Sequence, residues 1–269
     1  MTNNIEVIPL TPRMTTNYND VEQPTLFISS TKKCIAEFIG TYAFIFIALA
    51  AANQANLTSM LHNEPSNPIL VAAGFGIGLT IGINLSGSIS GGHLNPSVSL
   101  VFLILGKITS GEFVLYLISQ LLGAFLAAFT VFVLYYNTIN LYPYTIATAG
   151  AFGTYKQTQV SIGIGCLEQI IGTAILIISI LYCTSPYYKG NAPISIGLTL
   201  FVIAICLGTN GFAINPARDL GPRLMSAIFW GREVFSYQDN WWWVPIVGSF
   251  CGAPIGLTIY KLYEKFINN

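Results

Sequence analysis

Six stretches of the chain, residues 34–52, 69–89, 112–136, 160–183, 192–209 and 242–262, are apolar almost throughout. Each is close to the ~20 residues that carry a helix across ~30 Å of hydrocarbon. No water reaches backbone amides and carbonyls at that depth, so a spanning segment must satisfy them within itself, as an α-helix does. The alternating ten-residue segments of a membrane β-barrel are absent from the sequence. Composition agrees: 53% of the 269 residues are hydrophobic and only 8% charged, whereas soluble domains carry roughly a quarter charged residues. The expectation is an all-α integral membrane protein with six transmembrane helices. Eleven basic side chains balance eleven acidic ones, which gives no electrostatic reason to expect a nucleic acid or an acidic substrate as partner.

Residues 1–30 are polar, rich in Asn, Thr and Pro, and lack the basic start and short apolar core of a signal peptide. They read as a disordered tail ahead of a membrane domain over 31–269. Lys32, Lys33, Lys107, Lys189, Lys261 and Lys265 would all lie on one side of the six spans, with Lys156 and Arg232 on the other. The positive-inside bias puts both termini in the cytoplasm. Asn56-Leu57-Thr58 would then fall in the first external loop as a glycosylation sequon. The five cysteines (34, 166, 183, 206 and 251) sit singly in apolar surroundings, without the spacing of a disulfide or metal framework.

Two apolar segments are too short to span: 94–106, and 214–231 with its polar start. From Asn95 to Gly106 a helix rises only about 17 Å, half a membrane. The sequence around them repeats. AEFIGTYAFIFIAL (36–49) is echoed by LEQIIGTAILIISI (167–180), and HLNPSVSL (93–100) by AINPARDL (213–220). Three spans separate the copies, so halves of about 31–136 and 160–269 enter the membrane in opposite senses. One re-entrant half-helix then comes from each side, its Asn-Pro start near the midplane. Asn is a favoured N-cap and Pro suits the first helical position. Asn67-Pro68 carries only that meaning. Asn95-Pro96-Ser97 and Asn215-Pro216-Ala217 carry more, because they occupy corresponding places in the repeat.

Glu37 and Glu168 occupy matching places in the first and fourth spans. Buried charge in a membrane is costly and paired; the two carboxyls either brace the half-helix loops or form a proton relay.

These residues resemble the aquaporins, or major intrinsic proteins, and in particular their glycerol-conducting branch, the aquaglyceroporins. The resemblance runs from about residue 31 to the end and rests on AEFIGTYAFIF, SGSISGGHLNPSVSL, SQLLGAFLAAFTVFVLYY, TAGAFGTY, GFAINPARDLGPRL and WWWVPIVGSFCG. It implies six tilted helices plus two half-helices, one pore per subunit, a homotetramer in the lipid bilayer of the plasma membrane, and no cofactor. It also implies passage of glycerol, water and other small neutral solutes, with ions and protons excluded. Small residues such as Gly74, Gly76 and Gly78 would allow close helix packing.

By the same resemblance, the pore constriction is lined by Phe75, Phe212, Arg218 and a helix-five residue at or beside Ala204. Arg218 would donate to solute hydroxyls; the alternative is an arginine buried against carbonyls for structural reasons. Water-selective members narrow the pore with a histidine in helix five. This chain has only His62 and His93, both in the first half. The carbonyls of Gly91, Gly92, His93, Gly211, Phe212 and Ala213 would accept from the solute, with Asn95 and Asn215 donating to it. His93 has no second histidine or serine–acid set beside it, so it reads as a loop brace and not as a metal ligand or catalytic base. Asp219, Arg223 and Pro245-Ile246 are similar to the glycerol branch. Ser97 stands where most relatives have alanine, adding a hydroxyl that could bond locally. Lys156 stands where a proline is usual, at the external vestibule.

Two other functions share parts of this pattern. An ion-coupled transporter can use broken helices at an inverted-repeat interface, and would need Glu37 or Glu168 as its relay. A structural membrane protein with a vestigial pore would not need the set of Phe75, Phe212 and Arg218.

Overall fold

The computed structural model describes residues 29–208 and 211–268. Residues 1–28, most of the expected tail, lie outside the described residues. Helix α1 is Ser30–His62, α2 is Pro68–Ser90, α3 is Pro96–Ile104 and α4 is Ser110–Ile139. After the single turn α5, Ile146–Ala149, come α6, Ile162–Cys183, α7, Ala192–Leu207, and α8, Pro216–Trp230. Helix α9, Glu233–Asn240, contains non-helical backbone at Tyr237, Gln238 and Asp239. A 3-10 turn, Trp241–Trp243, leads into α10, Val244–Ile267.

The helix starts follow side-chain chemistry. Asn67, Asn95, Asn191 and Asn215 each accept a backbone N–H of the first turn, with proline at the first or second helical position. Thr109 and Glu112 form a reciprocal capping box on α4, which satisfies two otherwise orphaned donors. Pro245 stands in the first turn of α10, where it starts the helix and does not kink it.

Helices α1, α2, α4 and α6, and the segment Glu233–Ile267 that contains α10, are long and apolar enough to cross a membrane. The remaining span, α7, has 16 residues, or about 24 Å. The first span is much longer than its apolar core. Asn53 donates its side-chain amide to the Leu49 carbonyl at 2.9 Å, and the helix continues past it for nine residues to His62. Asn56 therefore belongs to a helix, with its amide donated to the Ala147 carbonyl at 3.0 Å. The sequon thus lies in a helix and not in the expected loop.

Each half has one order: α1, α2, half-helix α3 and α4, then α6, α7, half-helix α8 and α10. Within a half, the first helix packs against the second and last, α1 on α2 and α4, α6 on α7 and α10. Across the halves α2 meets α7, α4 meets α8 and α10 meets α3, so each half-helix touches a long helix of the opposite half. The α2–α7 contact depends on glycine: a Cβ on Gly76 would stand 2.7 Å from the Gly197 carbonyl, and one on Gly197 2.5 Å from that of Gly76. The outward faces carry exposed Ile39, Leu122, Val133, Leu198 and Ile259, suited to lipid.

Candidate functional site

The two half-helices start beside one another. Asn95 Nδ2 donates to the Ile214 carbonyl at 2.9 Å, and Asn215 Nδ2 donates to the Leu94 carbonyl at 2.9 Å. Each Asn Oδ1 is meanwhile occupied at home: that of Asn95 accepts Ser97 N at 2.8 Å, and that of Asn215 accepts Ala217 N and Arg218 N. Both amides are thereby fixed in orientation, and each retains one N–H. Asn95 and Asn215 line the same inner cavity of about 90 Å³.

Leu94 and Ile214, immediately before the two asparagines, have φ of 52° and 45°. Left-handed backbone costs a side-chain-bearing residue about 1–3 kcal/mol and persists only where surroundings enforce it. Here both ends of each residue are held. Leu94 N donates to Glu37 Oε2 at 2.8 Å, Ile214 N to Gln169 Oε1 at 2.9 Å, and the carbonyls accept from the opposing asparagines.

Glu37 is a brace. Besides Leu94 N it accepts His93 N at 2.9 Å, Ser90 Oγ at 2.6 Å and Gln120 Nε2 at 2.7 Å. In the second half the position that corresponds to Glu37 is taken by Gln169. Gln169 Oε1 accepts Ala213 N at 3.1 Å as well as Ile214 N, and its Nε2 donates to the Gly211 carbonyl at 2.9 Å. The repeat is in register on Gly40-Thr41 and Gly172-Thr173, which pairs Glu37 with Gln169 and moves Glu168 one position off. Glu168 is buried, and neither glutamate lines the inner or the outer cavity.

The outer cavity, about 450 Å³, is lined by Phe75, Ala204, Gly211, Phe212 and Arg218 together with Pro68 and Gly208. It lies toward the start of α2 and the end of α7. The inner cavity lies toward the opposite ends of the same two helices, at Ile83 and Ala192. Among the described residues Phe75 alone lines both, so the two cavities meet at its side chain. The Arg218 guanidinium lies 4.4 Å above the centroid of the Phe75 ring, a cation–π contact. Its Nη1 donates to the Phe152 carbonyl at 2.9 Å, while Nε is buried without an acceptor among the described residues. Of the helix-five positions, Ala204 and Ile205 line the outer cavity; Ile203 is buried and would touch a Cβ placed on Gly172.

Behind Arg218, Asp219 and Arg223 form a fully buried ion pair, Nε to Oδ2 at 2.9 Å. Asp219 Oδ1 also accepts Thr154 N at 2.8 Å and Thr154 Oγ1 at 2.6 Å. Arg223 donates to the carbonyls of Val234 and Thr154 and lies over the Tyr155 ring. This pair fastens the 152–155 segment to α8 and so presents the Phe152 carbonyl to Arg218. Burial pushes the Tyr155 phenol up to about 12, so it stays neutral at the cavity wall.

The carbonyl-bearing residues divide between the cavities: Gly91, Gly92, His93 and Ala213 line the inner one, Gly211 and Phe212 the outer. The Gly211 carbonyl is already engaged by Gln169. His93 packs against Phe102 with ring centroids 4.4 Å apart, and its Nδ1 pairs with Ser99 Oγ at 3.2 Å. The Ser97 hydroxyl finds no local bond; its Oγ is buried without a partner among the described residues.

A family model for Major intrinsic protein matches residues 26–260. The chain belongs to the major intrinsic protein family. It is 37% identical over 247 residues to "Aquaporin-9" of Homo sapiens, covering 87% of this chain and 83% of that protein. It is 39% identical over 255 residues to "Aquaglyceroporin-2" of Rhizophagus irregularis, covering 88% and 80%. Among solved structures, the aquaglyceroporin from Plasmodium falciparum superposes with a TM-score of 0.79 at 29% identity, over 86% of this chain and 96% of that one. The all-α architecture with two half-helices in an inverted repeat is thus that of the family. Within it, the motif reading missed Gln169, Phe152 and Thr154. Aligning the Gly-Thr pairs of the repeat would have found the first; Phe152 acts through its carbonyl alone, and Thr154 through its backbone and a hydroxyl whose partner Asp219 is 65 residues away.

Proposed function

We propose that the chain is a passive channel for glycerol, water and other small uncharged solutes, working as a homotetramer in the plasma membrane with both termini cytoplasmic. The observation that carries this reading is the meeting of two cavities at Phe75 with Arg218 stacked on its ring. A glycerol there would lay its CH face on Phe75 and Phe212 and turn its hydroxyls to Arg218. Stripping water from a hydroxyl costs roughly 2–7 kcal/mol in apolar surroundings unless new partners replace it. Replacement would come from the remaining N–H of Asn95 and of Asn215, and from the carbonyls of Gly91, Gly92, His93, Phe212 and Ala213.

Cations would be turned back by Arg218 and by the positive N-terminal ends of α3 and α8, the general device of aquaporin-type pores. Ala204 leaves the helix-five wall open enough for carbon as well as water. Coupling to an ion gradient is disfavoured because Glu37 is committed to four donors of its own half. In proteoliposomes, glycerol should equilibrate at the same rate before and after proton and sodium gradients are collapsed. Accumulation of glycerol against its gradient, driven by either ion, would overturn the proposal.

A further inference from the structure

Lys156 is 8% exposed, and no hydrogen bond or salt bridge to a described residue involves its ammonium. Its stem is covered while its ammonium, not among the buried unpartnered atoms, opens outward. It lines an outer chamber of about 520 Å³ together with Arg218. Among the described residues, no aspartate or glutamate lines that chamber or the adjoining outer cavity. The carboxylate next in sequence to Arg218, Asp219, is spent on Arg223 and Thr154. Arg218 itself has bonded one carbonyl and keeps a buried, unused Nε. Two cations with unspent donors thus share one open vestibule, where clefts lined by one sign of charge concentrate counter-ions.

We propose that Lys156 and Arg218 form a binding site for a small oxyanion, a carboxylate or a phosphate, and that an anion held there obstructs the path past Phe75. Charge-assisted bonds from an ammonium and a guanidinium are the strongest an oxyanion can receive from side chains. The position of Arg218 against Phe75 makes a bound anion and a passing solute mutually exclusive. The obstruction, though not the binding, rests on the channel reading above.

The test uses the full chain in lipid nanodiscs and in proteoliposomes, at fixed ionic strength set with chloride. Equilibrium dialysis with labelled glycerate and, separately, labelled inorganic phosphate measures binding; external addition of each during glycerol efflux measures obstruction. We expect saturable binding of one oxyanion per chain, weakened at least tenfold in Lys156→Met and retained in Lys156→Arg, with flux falling over the same concentration range. The better ligand of the two identifies the source, an organic acid or free phosphate. Binding that is absent, unsaturable, unchanged in Lys156→Met or displaced equally by chloride overturns the site, and binding without loss of flux overturns the obstruction. If wild-type vesicles pass no glycerol while Lys156-dependent binding persists, the channel reading falls and the site stands.

Discussion

Replacing Gln169 with leucine removes three hydrogen bonds from the loop before α8: those accepted from Ala213 N and Ile214 N and the one donated to the Gly211 carbonyl. Gln169 is fully buried, so water does not reach the groups left behind. Each such group costs about 1–3 kcal/mol when unpaired, which sets a loss of about 3 kcal/mol at the lower end. Ile214 is also released from its φ of 45° and relaxes, carrying away the carbonyl that Asn95 holds. Gln169→Glu keeps both acceptor bonds but sets an oxygen against the Gly211 carbonyl where an amide donated, so an intermediate penalty is expected. The assay pairs apparent melting of the purified protein at one scan rate with stopped-flow glycerol permeability per reconstituted chain. The expected order in both is wild type, then Gln169→Glu, then Gln169→Leu, with melting of the leucine variant lowered by several degrees. If Gln169→Leu keeps wild-type melting and glycerol permeability, Gln169 does not hold the loop and the pairing of Glu37 with Gln169 is wrong.

Ser97→Ala deletes a buried hydroxyl that has no partner; apparent melting should rise by an amount equivalent to about 1 kcal/mol with glycerol flux unchanged, as a thermal scan and swelling assay on one preparation will show. Arg218→Ala removes the fixed charge and donors above Phe75; tolerance of larger polyols and leak of protons or monovalent cations should both rise, read by pH-dye and conductance measurements, and an unaltered profile would make the arginine structural.

The half-helices were legible because their signals are local: an asparagine cap and a proline at the first turn are fixed by the geometry of a helix start wherever it occurs. The facing positions of Asn95 and Asn215 followed from the repeat. The brace of the second loop did not, because Glu168 resembles Glu37 chemically while Gln169 matches it in register, and one helical residue turns a side chain by about 100°. The length of α1 was hidden for a different reason. Asn53 and Asn56 look like loop residues, yet Asn53 bonds its own helix and Asn56 bonds Ala147. The role of the 152–155 segment rests mostly on the Phe152 and Thr154 carbonyls and the Thr154 amide, backbone groups that every residue possesses, with the Thr154 hydroxyl adding one side-chain bond to Asp219. The chamber around Lys156 depends on where Asp219 spends its charge, which only tertiary structure reveals.

The claim that the solute path runs between Phe75, Phe212, Arg218 and the α7 wall is tested most directly by Ala204→His. Ala204 lines the outer cavity with those three residues, so a ring placed there narrows the opening and offers nitrogens that suit water better than a CH face. Stopped-flow swelling of vesicles in glycerol, with shrinkage in an impermeant osmolyte, yields both permeabilities from one preparation. Ile205→His runs alongside as a second wall position, and Ile203→His as a buried one that should instead disturb packing beside Gly172. The account predicts that glycerol permeability of Ala204→His falls much further than water permeability while the assembly remains intact. An unchanged glycerol-to-water ratio in well-folded Ala204→His and Ile205→His would contradict it and place the path elsewhere.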